Sequence, residues 1–178
     1  MKVVGVSQRA GHHFSKTPAL SVELVAGHGV LGDGHYGTTV QHRSRVARNP
    51  DQPNLRQVHL MHVELFAELA EQGFSVAPSQ LGENITTEGI ELLRLSCGQR
   101  LRLGDEAVVE LTGLRNPCGQ LNGHADGLMN ALRRSRADGS VERLAGVMAI
   151  VVQGGVVTPQ DPVTLLPLEG SHRPLEPV

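Results

Sequence analysis

Short apolar segments separated by glycine and polar turns dominate the chain. Residues 2–6 (Lys-Val-Val-Gly-Val) and 21–26 (Ser-Val-Glu-Leu-Val-Ala) read as strands, because β-branched residues on a two-residue period fit a half-buried pleat. Residues 7–18 between them are loop-like, and residues 27–37, around Gly-Asp-Gly-His-Tyr-Gly, form a loop of unusual backbone angles. Residues 41–55 are polar and carry Arg and Pro, which predicts an exposed, mobile excursion. A strand follows at 56–60. From His62 to Gln72 the period becomes helical, with Val63, Phe66, Ala67 and Ala70 on one face and Glu64, Glu68 and Glu71 on another. Gly73 supplies the stop.

Farther along, Ile85-Thr86-Thr87 predicts a short strand and turn within 79–95. Residues 100–103 and 107–112 predict a hairpin turning at Gly104-Asp105. Residues 127–136, with Leu128 and Leu132 four apart, predict a short helix. The apolar run 147–152 is a buried strand, and Gly154-Gly155 is expected to fold Val156-Val157 back on it as a hairpin. A last strand spans 163–166, and the tail from Glu169 is expected to be extended or disordered. About eight or more short strands with few helices make the chain mainly β, as a closed or nearly closed β-barrel. Strands do not alternate with long helices, which disfavours a doubly wound α/β fold. A single domain over 1–168 with a tail at 169–178 fits the length of 178 residues.

Composition narrows the function classes. The net charge is −2, so no global attraction to nucleic acid or anionic lipid is expected. Aromatic residues are 2 % of the chain, too few for a base-stacking surface. No apolar run approaches the roughly 20 residues that span a bilayer, and the N-terminus lacks the apolar stretch of a signal peptide. A cytoplasmic location is the default expectation. There, the two cysteines, Cys97 and Cys118, are expected to remain reduced.

Chemistry concentrates in Leu111-Thr-Gly-Leu-Arg-Asn-Pro-Cys-Gly-Gln-Leu-Asn122. Gly113 and Pro117 end a strand, and Cys118 follows between Pro117 and Gly119. Arg115 places a cation near the sulfur, which favours thiolate, the form that attacks or binds metal. A buried structural cysteine is the alternative at Cys118 and the reading for Cys97. Asp33 can bond its own loop, with His35 lining a cleft. Gly82-Glu83-Asn84 joins a flexible backbone to a carboxylate and an amide, groups that recognise a polar heterocycle or build a turn. His12, His13, His59 and His62 follow no standard zinc spacing. Arg56 can add charge to a cleft, although a surface role explains it as well.

Four stretches in order resemble the MOSC domain family, the C-terminal domain of molybdenum cofactor sulfurases and its stand-alone relatives. They are Gly32-Asp-Gly-His-Tyr-Gly37, Leu81-Gly-Glu-Asn-Ile-Thr-Thr-Glu-Gly-Ile90, Asn116-Pro117-Cys118 after a Thr-Gly strand end, and the apolar run from Gly146 to Val157. The likeness covers most of 1–166 and is nearest the short bacterial members. It implies a β-rich barrel with Cys118 at a cleft mouth, binding the metal of the molybdenum cofactor (molybdopterin) or carrying persulfide sulfur. Lys16 occupies a place similar to the family's phosphate-contacting lysine. Arg115 would share the phosphate, while His35, Gly82, Glu83, Asn84 and Asn116 would line the cleft. By the same likeness, the activity is reduction of N-hydroxylated small molecules with an external electron-transfer protein. The alternative is a sulfur carrier or cofactor-delivery module served by a pyridoxal phosphate-dependent cysteine desulfurase. A third class is a cofactor-free binding domain with an inert Cys118. The excursion at 41–55, and the lack of the long C-terminal helical extension of larger members, depart from the family pattern.

Overall fold

Aliphatic strands build the molecule because few other large side chains are present. The computed structural model describes residues 1–11 and 13–178, with all of their side chains except those of Arg43 and Ser44. Numbered along the chain, eight strands form the main sheet: β1 (Lys2–Gln8), β2 (Thr17–Ala19), β5 (Val58–His62), β6 (Ile85–Glu88), β7 (Arg100–Leu103), β8 (Ala107–Leu114), β11 (Val147–Gln153) and β13 (Val163–Leu165). Their spatial order is β13-β7-β8-β11-β5-β6-β1-β2. Within it only β5 and β6 run parallel. A second sheet places β3 (Val22–Val25) between β4 (Gly29–Val30) and β12 (Gly155–Val157). A third is the hairpin of β9 (Arg133–Ser135) and β10 (Val141–Arg143).

The expected closed barrel does not form. The main sheet has two free edges, β13 and β2, and each is three residues long. One isolated bridge, Lys2↔Pro162, brings the start of β1 to the approach to β13 without making a ladder. Pro162 has no N–H to continue pairing, and Pro18 in β2 likewise suits an edge. The expected hairpin at Gly154-Gly155 is also absent. Instead β12 crosses to pair with β3. A side chain at Gly155 would come within 2.9 Å of the Ala107 backbone nitrogen, so glycine permits that crossing.

One core cluster joins the two larger sheets, with Val3, Leu24, Leu60, Leu101, Leu111, Val147 and Val157 all essentially inaccessible. Burial of each such side chain contributes roughly 1.5–3 kcal/mol. The second cluster sits under α2 (Glu64–Glu71) and α3 (Leu128–Ala131). In α2 the buried face is Leu65, Phe66 and Leu69, while Ala67 and Ala70 are exposed. The larger apolar side chains have taken the core from the alanines. The helix predicted at 127–136 lasts one turn, and 133–135 pair as β9.

Two segments expected to be loose are tied down. The excursion holds a helical turn, α1 (Arg43–Val46), closed at its base by the bridge Thr39↔Pro53. Asn54 Nδ2 donates to the carbonyls of His35 and Gly37, each at 2.9 Å. The tail is extended, and ordered. The Cys97 and Leu114 amides donate to Arg173 O and Glu176 O, both at 2.8 Å, and Leu175 enters the core. Among the described residues no helix is long and apolar enough to cross a membrane.

Candidate functional site

The exit of β8 leads to a cleft of about 750 Å³. Pairing continues one residue beyond the strand, as the Arg115 amide donates to Gly146 O at 3.0 Å. Pro117 then ends it, and Cys118 is extended before a 3₁₀ turn at Gly119–Gly123. The thiol is half-buried and lies 3.7 Å from Gln120 Oε1. Both cysteines are free thiols. Cys97 packs on the core and donates to Thr112 O, as a structural cysteine does.

Arg115 is 8 % exposed. It donates to Leu81 O at 2.7 Å, and its guanidinium lies 5.7 Å from the Phe14 ring centre. Burial pushes the guanidinium pKa down, and Coulombic interaction with Cys118 and Glu83 opposes that shift. The stacked, forked geometry is one that lysine cannot reproduce.

Asp33 organises the loops around the cleft. Its carboxylate accepts from the amides of Arg9 (3.2 Å) and His35 (3.0 Å), from Asn84 Nδ2 (3.1 Å) and from Lys16 Nζ. His35 Nδ1 is 3.3 Å from the same group. Burial alone would raise its pKa, yet the bonds from His35 and the Lys16 charge outweigh burial and hold it well below the ordinary carboxylate range. Lys16 is lowered by its own burial, more than Asp33 lifts it. The Lys16 ammonium therefore borders the cleft already matched by a carboxylate.

The 82–84 turn puts Gly82 and Asn84 at the cleft and Glu83 behind it. Glu83 is fully buried, does not line the cleft, and accepts from the Ser79 amide (2.6 Å), the Leu81 amide (3.2 Å) and the Thr86 hydroxyl (3.2 Å). Burial raises its pKa. Asn84 is at the cleft wall, with its amide bonded to Asp33, Ser7 O and the His59 amide. Gly82 has φ +86°, and any Cβ there would strike the Phe14 carbonyl. Glycine thus lets loop 13–16 approach the wall. Asn116, on the lip, accepts from Arg143 Nε at 3.0 Å.

The structure therefore brings Lys16, His35, Gly82, Asn84, Arg115, Asn116 and Cys118 to one cleft and sets Glu83 behind it. It adds Arg45, Arg48 and Arg56 to the wall. Arg45 and Arg48 escaped sequence reasoning because only tertiary folding swings 41–55 over the cleft. Arg56 is lowered to about 10 by burial and by the repulsion of Arg45 and Arg115, with Cys118 acting in the opposite sense. Five cationic side chains line the cleft, and no Asp or Glu does among the described residues. His59 also faces it, nearly buried, with Nε2 donating to Ala145 O at 2.7 Å. Burial, then Arg115, pushes its pKa well below the usual value. His13 is at the rim, and His62 lies elsewhere with Nδ1 unbonded among the described residues. His12 lies outside the described residues. Among those described, no three His, Cys, Asp or Glu are grouped to hold a metal ion.

The MOSC domain profile matches residues 31–164. Among solved structures, the YUAD protein of Bacillus subtilis is similar, with TM-score 0.71 and 23 % identity over 91 % of this chain and 93 % of that one. YiiM from Geobacillus stearothermophilus matches with TM-score 0.65 and 19 % identity over 93 % of this chain and 75 % of that one. YiiM from Escherichia coli gives 0.63 and 20 %, over 97 % and 73 %. Among curated proteins, none matches in sequence.

Proposed function

This chain belongs to the MOSC domain family, a family associated with the molybdenum cofactor, and on that footing we propose that its cleft binds molybdopterin and reduces N-hydroxylated compounds. The carrying observation is a half-buried thiol on a cleft lined by five cations and, among the described residues, by no carboxylate. These residues fit the group: thiolate is a soft, strongly donating metal ligand, and buried guanidinium suits a phosphate. When bound, the cofactor supplies a metal centre through which two electrons, with two protons, convert N–OH to N–H and water. Cys118 would be the protein's ligand to the metal. Arg115 and Arg56 would hold the anionic end, with Lys16 beside them. His35, whose ring nitrogen lies 3.3 Å from Asp33, would move a proton. With two cysteines the chain cannot supply the four thiolates of an iron–sulfur cluster, so electrons would come from an external electron-transfer protein.

The test is metal analysis of protein made in a cofactor-competent host, followed by assay with an N-hydroxylated purine and a chemically reduced dye. Stoichiometric molybdenum and turnover, both lost in Cys118→Ser, are expected. Wild-type protein without molybdenum would overturn the reading.

One observation favours a second reading, a sulfur carrier. Cys118 is half-exposed, and a side chain built at Gly119 would meet nothing within 4 Å. That open ground gives a cysteine desulfurase access to the sulfur. Incubation with desulfurase and cysteine would then add one sulfur atom to Cys118, seen by mass spectrometry, in protein free of molybdenum.

A further inference from the structure

We propose that Arg45 and Arg48, carried onto the cleft wall by the 41–55 excursion, form a second anion subsite that takes the phosphate of a phosphorylated substrate, an N-hydroxylated nucleotide. The reaction named here rests on the reading above; the subsite rests on the charge inventory.

A chain of net charge −2 has gathered five cations around one cleft. Their partners differ. Lys16 is matched by Asp33. Arg115 turns inward to Leu81 O and Phe14. Arg56 lies between Arg115 and Arg45 in electrostatic reach and also senses Cys118. Arg45 and Arg48 form no ion pair among the described residues, whereas glutamates neutralise Arg94, Arg100, Arg134 and Arg136 elsewhere. The crowding has a cost, since burial and then repulsion from Arg45 and Arg115 push Arg56 down to about 10. A bound anion relieves that repulsion.

The excursion that carries the arginines is anchored at its base. Asn54 clamps the base of the excursion to the carbonyls of His35 and Gly37, so Arg45 and Arg48 are tied to the loop that presents His35. Molybdopterin carries one phosphate, which Arg115 and Arg56 can satisfy. Two further forked donors suit a second phosphate, and a nucleotide brings one on the molecule that bears the N–OH.

Calorimetry on the protein as expressed, with adenosine 5′-monophosphate and adenosine as unreactive probes, decides the matter. Wild type should bind the monophosphate at least tenfold more tightly than the nucleoside. Arg45→Gln/Arg48→Gln should remove that preference while keeping its molybdenum. Arg48→Glu alone, a change at an exposed side chain, should weaken monophosphate binding tenfold or more. Equal binding of both probes by wild type, or a preference that persists in the double variant, overturns the subsite. Loss of molybdenum from the double variant would assign these arginines to the cofactor and also overturn it. Wild type lacking molybdenum defeats the cofactor reading alone, and the same calorimetry still judges the subsite.

Discussion

Asp33 carries more of the cleft than its size suggests. One buried carboxylate fixes Lys16, His35, Asn84 and the Arg9 amide. Asp33→Asn strands a buried ammonium, and breaking such a pair costs about 3–5 kcal/mol. Urea unfolding should show that loss, and Lys16→Met/Asp33→Asn should recover part of it, because the ammonium is gone while the side-chain amide oxygen can still accept from the loop amides. The folded Asp33 carboxyl titrates below the ordinary aspartate value of 3.8, so its stabilisation is present at neutral pH and fades as the pH falls below about 4. His59 acts sooner. It is held neutral in the fold, whereas the unfolded ring takes a proton near 6.5. Below that pH the unfolded chain binds a proton that the folded chain refuses, and stability falls by at most about 1.4 kcal/mol per pH unit for this group. Unfolding at pH 7.5, 6.5 and 5.5 should show the decline, with a shallower slope in His59→Gln.

At the scale of elements, β8 links core to chemistry. It pairs with β7 and β11, and its exit places Arg115 and Cys118. Leu111→Ala, at 1 % exposure, should cost about 2–5 kcal/mol by denaturant unfolding. Leu20→Ala, at 92 % exposure, should stay within about 0.5 kcal/mol. Elements whose pattern reports their own burial were legible in the sequence: β1, β3, the β7–β8 hairpin, β11 and the existence of α2. Those decided by a distant partner were not. β12 pairs with β3 rather than its neighbour, and β9 is drawn from a helical pattern by β10. The site divides the same way. Cys118 and Arg115 share a short motif, and their nearness could be read from it. Asp33 as the hub, Glu83 behind the wall and Arg45 and Arg48 on it depend on loops that meet only in three dimensions.

At the scale of the molecule, the charge is segregated. The slightly acidic whole keeps a basic cleft, so anions should bind the folded state selectively. Inorganic pyrophosphate at about 100 times its dissociation constant should stabilise by roughly 2.7 kcal/mol and raise Tm by about 5–10 °C. A thermal melt with and without it checks this, and Arg56→Gln should reduce the shift. An unchanged wild-type Tm would mean that the cations do not act as an anion site.

The ordered tail has a practical corollary. Val178 lines the cleft, so any polypeptide joined after it, such as an affinity tag, would start at the cleft wall and compete with whatever enters. Met1 instead sits beside Gly89 and Val163, which do not line the cleft, so a tag ahead of it would start away from the site. The choice of purification handle therefore bears directly on whether a ligand is seen.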